Sequence, residues 1–173
     1  MNGSHSSPRH RRRPLALLLA AAFAITACAT AHANSPDTEL VAVGGINDLR
    51  HHEHHEYAGI QVRFGSNWRG IHPYGQAVVS GHGSDYAGAG LLYTFSLPRS
   101  RGLTIGSGPN WFRHDALDPN LGSAIEFSSW IELSVPVGGR VLGIDFSHVS
   151  NAHLGRINPG SEGIGLSLRM WTW

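Results

Sequence analysis

The sequence predicts an all-β protein, specifically an eight-stranded antiparallel transmembrane β-barrel. Three observations lead to this prediction: apolar and polar residues alternate along several segments, eight such segments follow one another, and the connections between them alternate in length. Each segment has about ten residues, which is the length that a tilted strand needs to cross a bilayer. An even number of strands is also typical of bacterial outer-membrane barrels.

The alternation has the period of two that is typical of a β-strand with two different faces. It is clearest within residues 57–64, 86–97, 124–135 and 142–147, where one face is apolar and the other is polar. In a membrane barrel the apolar face contacts lipid and the polar face fills the lumen, whereas in a soluble sandwich the apolar face forms a core. Charges on the polar face can pair inside a narrow barrel, which favours the barrel and leaves a soluble periplasmic sandwich as the alternative. These charged residues are Arg63, Glu126, Glu132, Asp145 and Arg169.

The predicted strands are separated by connections of unequal length. Those after the second, fourth and sixth strands are short, and those after the first, fifth and seventh are longer and polar, as in barrels with short periplasmic turns. The third connection is short as well, which breaks the pattern. In the last strand, Trp171 and Trp173 fall on the opposite parity from Ile164 and Leu166, which a β-bulge would reconcile. The strands are predicted near 38–48, 57–65, 70–80, 85–97, 102–113, 123–136, 139–150 and 162–173.

A secretory signal peptide is predicted for residues 1–33. A basic segment precedes the apolar stretch 14–29, and a small-x-small cleavage site ends at Ala33. The alternative is a lipoprotein signal, in which Cys28 would be the lipidated residue. Cleavage after Ala33 leaves residues 34–173 as one domain, the predicted outer-membrane barrel.

The exported part of the chain is acidic and contains no cysteine. All thirteen basic residues are Arg, and four of them precede residue 14, whereas all twelve acidic residues follow residue 33. The formal charge after cleavage is therefore 9 − 12 = −3, with His neutral. This charge argues against a nucleic-acid-binding surface. Without disulfides, a small exported domain needs another source of stability, and a closed sheet is one option.

The stretch FSHVSNAHLGRINPGSEGIG, residues 146–165, places three chemically reactive side chains on one face. His148 and Ser150 continue the apolar parity of the seventh strand, and Glu162 opens the apolar parity of the eighth. Because these strands are antiparallel neighbours, the end of one adjoins the start of the other, near the outer rim of the lipid-facing side. A serine nucleophile needs a base, and the base needs a carboxylate that orients it, so the three residues could form a triad. The alternative is that they are ordinary polar residues at strand ends.

The same stretch resembles the outer-membrane lipid A 3-O-deacylases, the PagL family. The resemblance rests on the motif His148-x-Ser150-Asn151-Ala152-x-Leu154 followed by Asn158-x-Gly160-x-Glu162, including the spacing from the His to the Glu. It implies an eight-stranded barrel whose active site lies on the outer wall, near the outer leaflet. It also implies hydrolysis of the ester-linked 3-hydroxyacyl chain at position 3 of lipid A.

The resemblance further implies serine hydrolysis, with Ser150 as the nucleophile, His148 as the general base and Glu162 as the carboxylate that orients the base. Asn158 matches an asparagine of the family motif and is the first candidate for the oxyanion-hole donor. Asn151 is the second candidate, and shaping of the turn is its alternative role.

This chain departs from the family pattern at His153, where the family has a glycine. The oxyanion geometry is expected to differ there if a backbone N–H at this position contributes. The expected partners are lipid A or lipopolysaccharide as substrate and the lipid of the outer membrane, and a homodimer is left open. The alternative function is a non-enzymatic small barrel that acts in binding or adhesion through its loops.

No cofactor and no catalytic metal are expected. The segment RHHEHHE, residues 50–56, contains four His and two Glu that could bind Zn or Ni. A polar, solvated loop between the first two strands is the preferred interpretation, because consecutive His residues do not by themselves fix the ligand geometry that a catalytic metal needs.

Overall fold

Eight antiparallel strands follow one another around a closed barrel, and the first strand pairs with both the second and the last. This computed structural model confirms the predicted fold class, and its strand bounds agree closely with those predicted. The strands are β1 (Glu39–Asn47), β2 (His55–Arg63), β3 (Ile71–Ser80), β4 (Asp85–Leu97), β5 (Arg101–Arg113), β6 (Ile125–Val137), β7 (Arg140–Ser150) and β8 (Ser161–Thr172).

The structure describes five segments of the chain, and the predicted signal peptide, residues 1–33, lies outside them. Within the described segments, no helix is long and apolar enough to cross a membrane. The described segments are residues 38–50, 54–65, 69–81, 84–113 and 121–173.

The barrel is polar inside and apolar outside, which is the reverse of a soluble protein. Glu126 and Glu132 of β6 are 0% and 2% exposed, whereas Ile144 of β7 and Leu166 of β8 are 59% and 64% exposed. Apolar residues that face outward from a barrel are those that meet lipid, and polar residues that face inward fill its lumen. The pattern of exposure therefore favours the membrane barrel over the soluble sandwich.

Several charged side chains of the lumen contact one another or other polar groups, whereas neither carboxylate oxygen of Glu126 has a hydrogen-bond partner among the described residues. Arg63 of β2 donates from Nη1 and Nη2 to the two carboxylate oxygens of Glu132, at 3.0 and 2.6 Å, and from Nε to Gln61 at 3.1 Å. The hydroxyl of Tyr57 donates to Asp145 at 3.4 Å. A buried charge is costly unless it is paired and hydrogen-bonded, so these contacts are what let a narrow lumen hold charged residues.

A β-bulge lies near the end of β8 and reconciles the parity of the two tryptophans with that of the earlier residues of the strand. Leu40 of β1 pairs with Trp171, and the next residue of β1 pairs with Arg169, so Met170 is the extra residue. Trp171 and Trp173 are 60% and 46% exposed. The bulge therefore turns both tryptophans to the same outer face as the apolar residues earlier in the strand.

Turns of different length close the two ends of the barrel. The connection between β6 and β7 is the pair Gly138 and Gly139, with φ of 56° and 76°, which suits the two-residue turn that matches the twist of a hairpin. The connection between β7 and β8, residues 151–160, is longer and lies at the opposite end. The end of the barrel with this longer loop carries the predicted site.

Candidate active site

His148 and Glu162 face each other across the pair formed by β7 and β8. They are directly opposite in the strand register, and Nδ1 of His148 lies 3.3 Å from Oε1 of Glu162. The side chain of Glu162 is 7% exposed and that of His148 is 41% exposed. The pairing follows from the period of two, because both residues continue the outward parity of their strands.

Ser150 is the last residue of β7 and lies on the same outward face as His148. It is half-buried and pairs with Phe127 of β6. Residues two apart on a strand are separated by roughly 6.5–7 Å along it, so Ser150 is the next residue on the outward face after His148. Because Nδ1 of His148 is turned toward Glu162, Nε2 is the ring nitrogen that remains for a serine hydroxyl.

Gly160 packs against the imidazole of His148. Its φ is +66°, and a Cβ built at this position would lie 2.9 Å from Cε1 and 3.7 Å from Nε2 of the ring. A side chain here would therefore both strain the backbone and displace the imidazole. Gly160 is therefore favoured both by its positive φ and by the close approach of the His148 ring.

Asn151 holds the loop 151–160 in place. It is 0% exposed, and its Nδ2 donates to the carbonyl oxygens of Leu121 at 2.7 Å and of Ile157 at 2.6 Å. An amide nitrogen has two hydrogens, and these contacts use both. The geometry agrees with the turn-shaping role of Asn151 and leaves no side-chain hydrogen for an oxyanion.

The side chain of Asn158 differs from that of Asn151, because its oxygen accepts the hydrogen bond from the loop backbone. Oδ1 accepts a hydrogen bond from the backbone N–H of Asn151 at 3.0 Å, and Nδ2 lies 3.4 Å from Nδ1 of His153. The first bond fixes which end of the amide is the oxygen. Nδ2 therefore keeps the donor capacity of this side chain.

Ala152 and His153 form a tight turn at the end of β7. Their φ angles are 52° and 64°, and the N–H of Leu154 donates to the carbonyl of Asn151 at 2.9 Å. Two central residues with positive φ characterise a type I′ turn. His153 thus occupies a left-handed conformation that a glycine would adopt without steric cost.

Arg50 was missed by the sequence analysis. Its Nη2 lies 2.8 Å from Oε1 of Glu162, the same oxygen that faces His148. The N–H of Leu49 also donates to the carbonyl of Glu162, at 3.1 Å. The only sequence signal was that Arg50 is a cation in the loop before β2.

The His-rich segment is described only in part, because residues 51–53 lie outside the described residues. Nδ1 of His54 lies 3.3 Å from the carbonyl oxygen of Asp48, and His55 is buried. Across the described segments, no group of three or more His, Cys, Asp or Glu side chains is arranged to hold a metal ion.

An apolar surface continues from the catalytic candidates down the outer wall. Directly below the pair of His148 and Glu162, Phe146 pairs with Ile164, and both are about half exposed, at 47% and 45%. Below them Ile144 pairs with Leu166, which are more exposed still. The three catalytic candidates continue the same outward parity as this apolar surface, so the site lies on the outer wall of the barrel.

Comparison with known proteins agrees with this geometry. The model of the family "Lipid A 3-O-deacylase (PagL)" matches residues 56–171. The crystal structure of the outer membrane enzyme PagL is similar, with a TM-score of 0.57 and 22% identity over 78% of this chain and 99% of that chain. Neisserial surface protein A has the same fold, with a TM-score of 0.55 and 9% identity over 79% of this chain and 97% of that one. None of the curated proteins compared with the chain matches it significantly.

The family match covers both the barrel strands from β2 onward and the loop that carries the motif. Together with the apolar outer wall, it confirms the predicted location in the outer membrane. The chain belongs to the lipid A 3-O-deacylase (PagL) family.

Proposed function

We propose that this protein is a serine esterase that hydrolyses the ester-linked 3-hydroxyacyl chain at position 3 of lipid A. The observation that carries the proposal is the pair of His148 and Glu162, with Nδ1 and Oε1 3.3 Å apart, beside Ser150 on the lipid-facing wall. A serine, a base and a carboxylate that orients the base are the parts that acyl transfer needs.

In this mechanism, Oγ of Ser150 attacks the ester carbonyl while Nε2 of His148 takes its proton. The imidazolium then protonates the sugar oxygen as the ester bond breaks, which leaves the acyl chain on Ser150. Water, activated by the same imidazole, releases the chain as a free 3-hydroxy fatty acid. Glu162 holds the ring by its Nδ1–H and stabilises the imidazolium.

The tetrahedral intermediate carries a negative charge on the former carbonyl oxygen, which needs hydrogen-bond donors in fixed positions. Nδ2 of Asn158 is the side-chain donor that we assign to this role, since its amide is oriented by the bond from the N–H of Asn151. Asn151 then acts indirectly, by holding the loop that presents Asn158.

A site on the outer wall suits a substrate that is itself a membrane lipid. The acyl chains of lipid A would lie along the apolar ladder of Phe146, Ile144 and their partners on β8, while the sugar stays at the rim. Lateral diffusion then delivers the substrate, and burial of the acyl chains in the bilayer orients the ester toward Ser150.

The test is release of 3-hydroxy fatty acid from lipopolysaccharide by the purified protein in detergent, measured by mass spectrometry. Ser147→Ala is the matched control, because Ser147 lies on the same strand with the lumen-facing parity of Asp145. We expect activity with wild type and Ser147→Ala, and a fall of about 1,000-fold or more with Ser150→Ala. A folded wild-type barrel that releases no fatty acid would instead favour a binding or adhesion role.

A further inference from the structure

We propose that Arg50 is a positioning residue that orients Glu162 toward His148, an inference that rests on the proposed function. Nη2 of Arg50 lies 2.8 Å from Oε1 of Glu162, and Nδ1 of His148 lies 3.3 Å from the same oxygen. The carboxylate therefore lies between the imidazole and a guanidinium from another loop. Among the described residues, the guanidinium of Arg50 pairs with Glu162, so its effect on the reaction passes through that carboxylate.

The chain between β1 and β2 is shaped to deliver Arg50 to this position. Asp48, directly after β1, is buried and has a φ of 64°, which reverses the chain direction. The N–H of Leu49 then donates to the carbonyl of Glu162 at 3.1 Å. This backbone bond holds the loop against the start of β8. The next residue, Arg50, can therefore reach the side-chain carboxylate of Glu162.

The burial of Glu162 explains why a second partner is needed. Its side chain is only 7% exposed, and a carboxylate removed from water needs charged or hydrogen-bonding partners. Neutral His148 offers one N–H and no charge. The guanidinium places a full charge 2.8 Å from Oε1, and this attraction favours the orientation of the carboxylate in which Oε1 faces Nδ1 of His148.

Arg50 could alternatively serve as a docking point for a lipid A phosphate, because its side chain is 70% exposed at the rim. The geometry favours the positioning role, since Nη2 of the guanidinium lies 2.8 Å from the buried carboxylate. The two roles differ in a measurable way. A positioning residue affects the reactivity of Ser150 toward any electrophile, whereas a phosphate-binding residue affects only substrates that carry the phosphate.

The experiment is the rate at which a small alkyl fluorophosphonate, which has no sugar and no lipid A phosphate, phosphonylates Ser150 in the purified full-length barrel. Intact mass and peptide mapping give the rate and the modified residue. The variants are Arg50→Ala, Arg50→Lys and, as the matched control, Arg156→Ala, which removes an exposed cation from the loop 151–160 at the same end of the barrel. Each of these substitutions is also made in a Glu162→Gln background.

We expect Arg50→Ala to slow phosphonylation by roughly 5-fold, the upper range for a largely exposed ion pair. Arg50→Lys should recover part of the loss, because an ammonium retains the charge but not the fork geometry. Arg156→Ala should react as wild type does. In the Glu162→Gln background, Arg50→Ala should cause no further loss, since residues that act through one another are not additive.

A wild-type rate for Arg50→Ala would overturn the inference, as would an equal loss with and without Glu162. If Arg50→Ala reacts normally with the fluorophosphonate but has a raised KM for lipopolysaccharide, Arg50 binds the headgroup instead. If wild-type Ser150 is not modified at all, the proposed function fails, which is a result distinct from failure of the Arg50 inference.

Discussion

Gly160 is the residue whose replacement tests most simply whether the position of the imidazole matters. A Cβ at this site would lie 2.9 Å from Cε1 of His148, so Gly160→Ala must move the ring. Gly138→Ala is the matched control, because Gly138 also has a positive φ, 56°, but a Cβ there would meet nothing within 4 Å. Both variants should lose about 1 kcal/mol of stability from the backbone alone.

Only Gly160→Ala should lose activity, by about 100-fold in kcat, because a small misplacement of a catalytic group is costly. Fatty-acid release and thermal unfolding, measured for both variants, separate the two effects. Equal activity of the two variants would mean that the imidazole does not have to occupy the position seen here.

Asn158 allows a nearly isosteric test of the oxyanion donor. Asn158→Asp keeps an oxygen that accepts from the N–H of Asn151, so the loop should stay in place, but it replaces the Nδ2 donor with a second oxygen. We expect kcat to fall about 100- to 1,000-fold with little change in melting temperature. Wild-type kcat in this variant would rule out Asn158 as the donor.

At the scale of single residues, the sequence predicted the strand face on which a side chain lies better than it predicted which side chains contact each other. The period of two put His148 and Glu162 on one outward face, and the register places them opposite each other. The same reasoning could not find Arg50, because it lies in an irregular loop whose path depends on the positive φ of Asp48. It also could not decide the role of Asn151, whose partner Leu121 is distant in the sequence.

The loop 151–160 is the element whose order the site requires, and Asn151 is its anchor. Asn151→Ala removes both bonds and leaves the carbonyl of the buried Leu121 without its partner, a loss of about 1–3 kcal/mol for that group. We expect the loop to open more often, so trypsin should cleave after the exposed Arg156 faster than in wild type, while the barrel stays folded.

Asn158→Asp serves as the control for this proteolysis, because it retains the bond to the N–H of Asn151. Cleavage after Arg156 should therefore be as slow in that variant as in wild type. If Asn151→Ala were no more sensitive to trypsin than wild type, the two amide bonds would not be what orders the loop.

Strands were the elements that the sequence predicted well, since alternation, turn residues and length all agree there. The bulge at Met170 was predictable from the parity of Trp171 and Trp173 alone. The loops carry no such period, so their hydrogen bonds follow from packing between connections that meet only in the closed barrel.

In the whole molecule, polar residues face the interior and apolar residues face outward, and substitutions on the outer wall test this arrangement directly. Ile144 lies near the middle of β7 and is 59% exposed, so in a bilayer Ile144→Arg would place a charge in hydrocarbon. We expect a loss of about 2–4 kcal/mol in the unfolding free energy measured in lipid vesicles. Leu154→Arg, a control in the loop that is 68% exposed, should cost only about 0–1 kcal/mol, as near an interface.

A soluble sandwich makes the opposite prediction, because exchanging an exposed Ile for Arg would leave stability unchanged and raise solubility. The sequence favoured the barrel through the number and length of its strands, the alternating connections and the charges that could pair in a lumen. Burial decides the matter, because Arg63 and Glu132, which contact each other across the lumen, are only 5% and 2% exposed.

The central claim is that this barrel removes one acyl chain from lipid A through Ser150, and the most direct measurement is the mass of lipid A. Wild type, Ser150→Ala and Ser147→Ala would each be expressed in an outer membrane that contains lipopolysaccharide. The lipid A would then be extracted and its molecular mass measured by mass spectrometry. We predict loss of a single 3-hydroxyacyl chain with wild type and Ser147→Ala, and intact lipid A with folded Ser150→Ala. Loss of the same chain with Ser150→Ala would contradict the account.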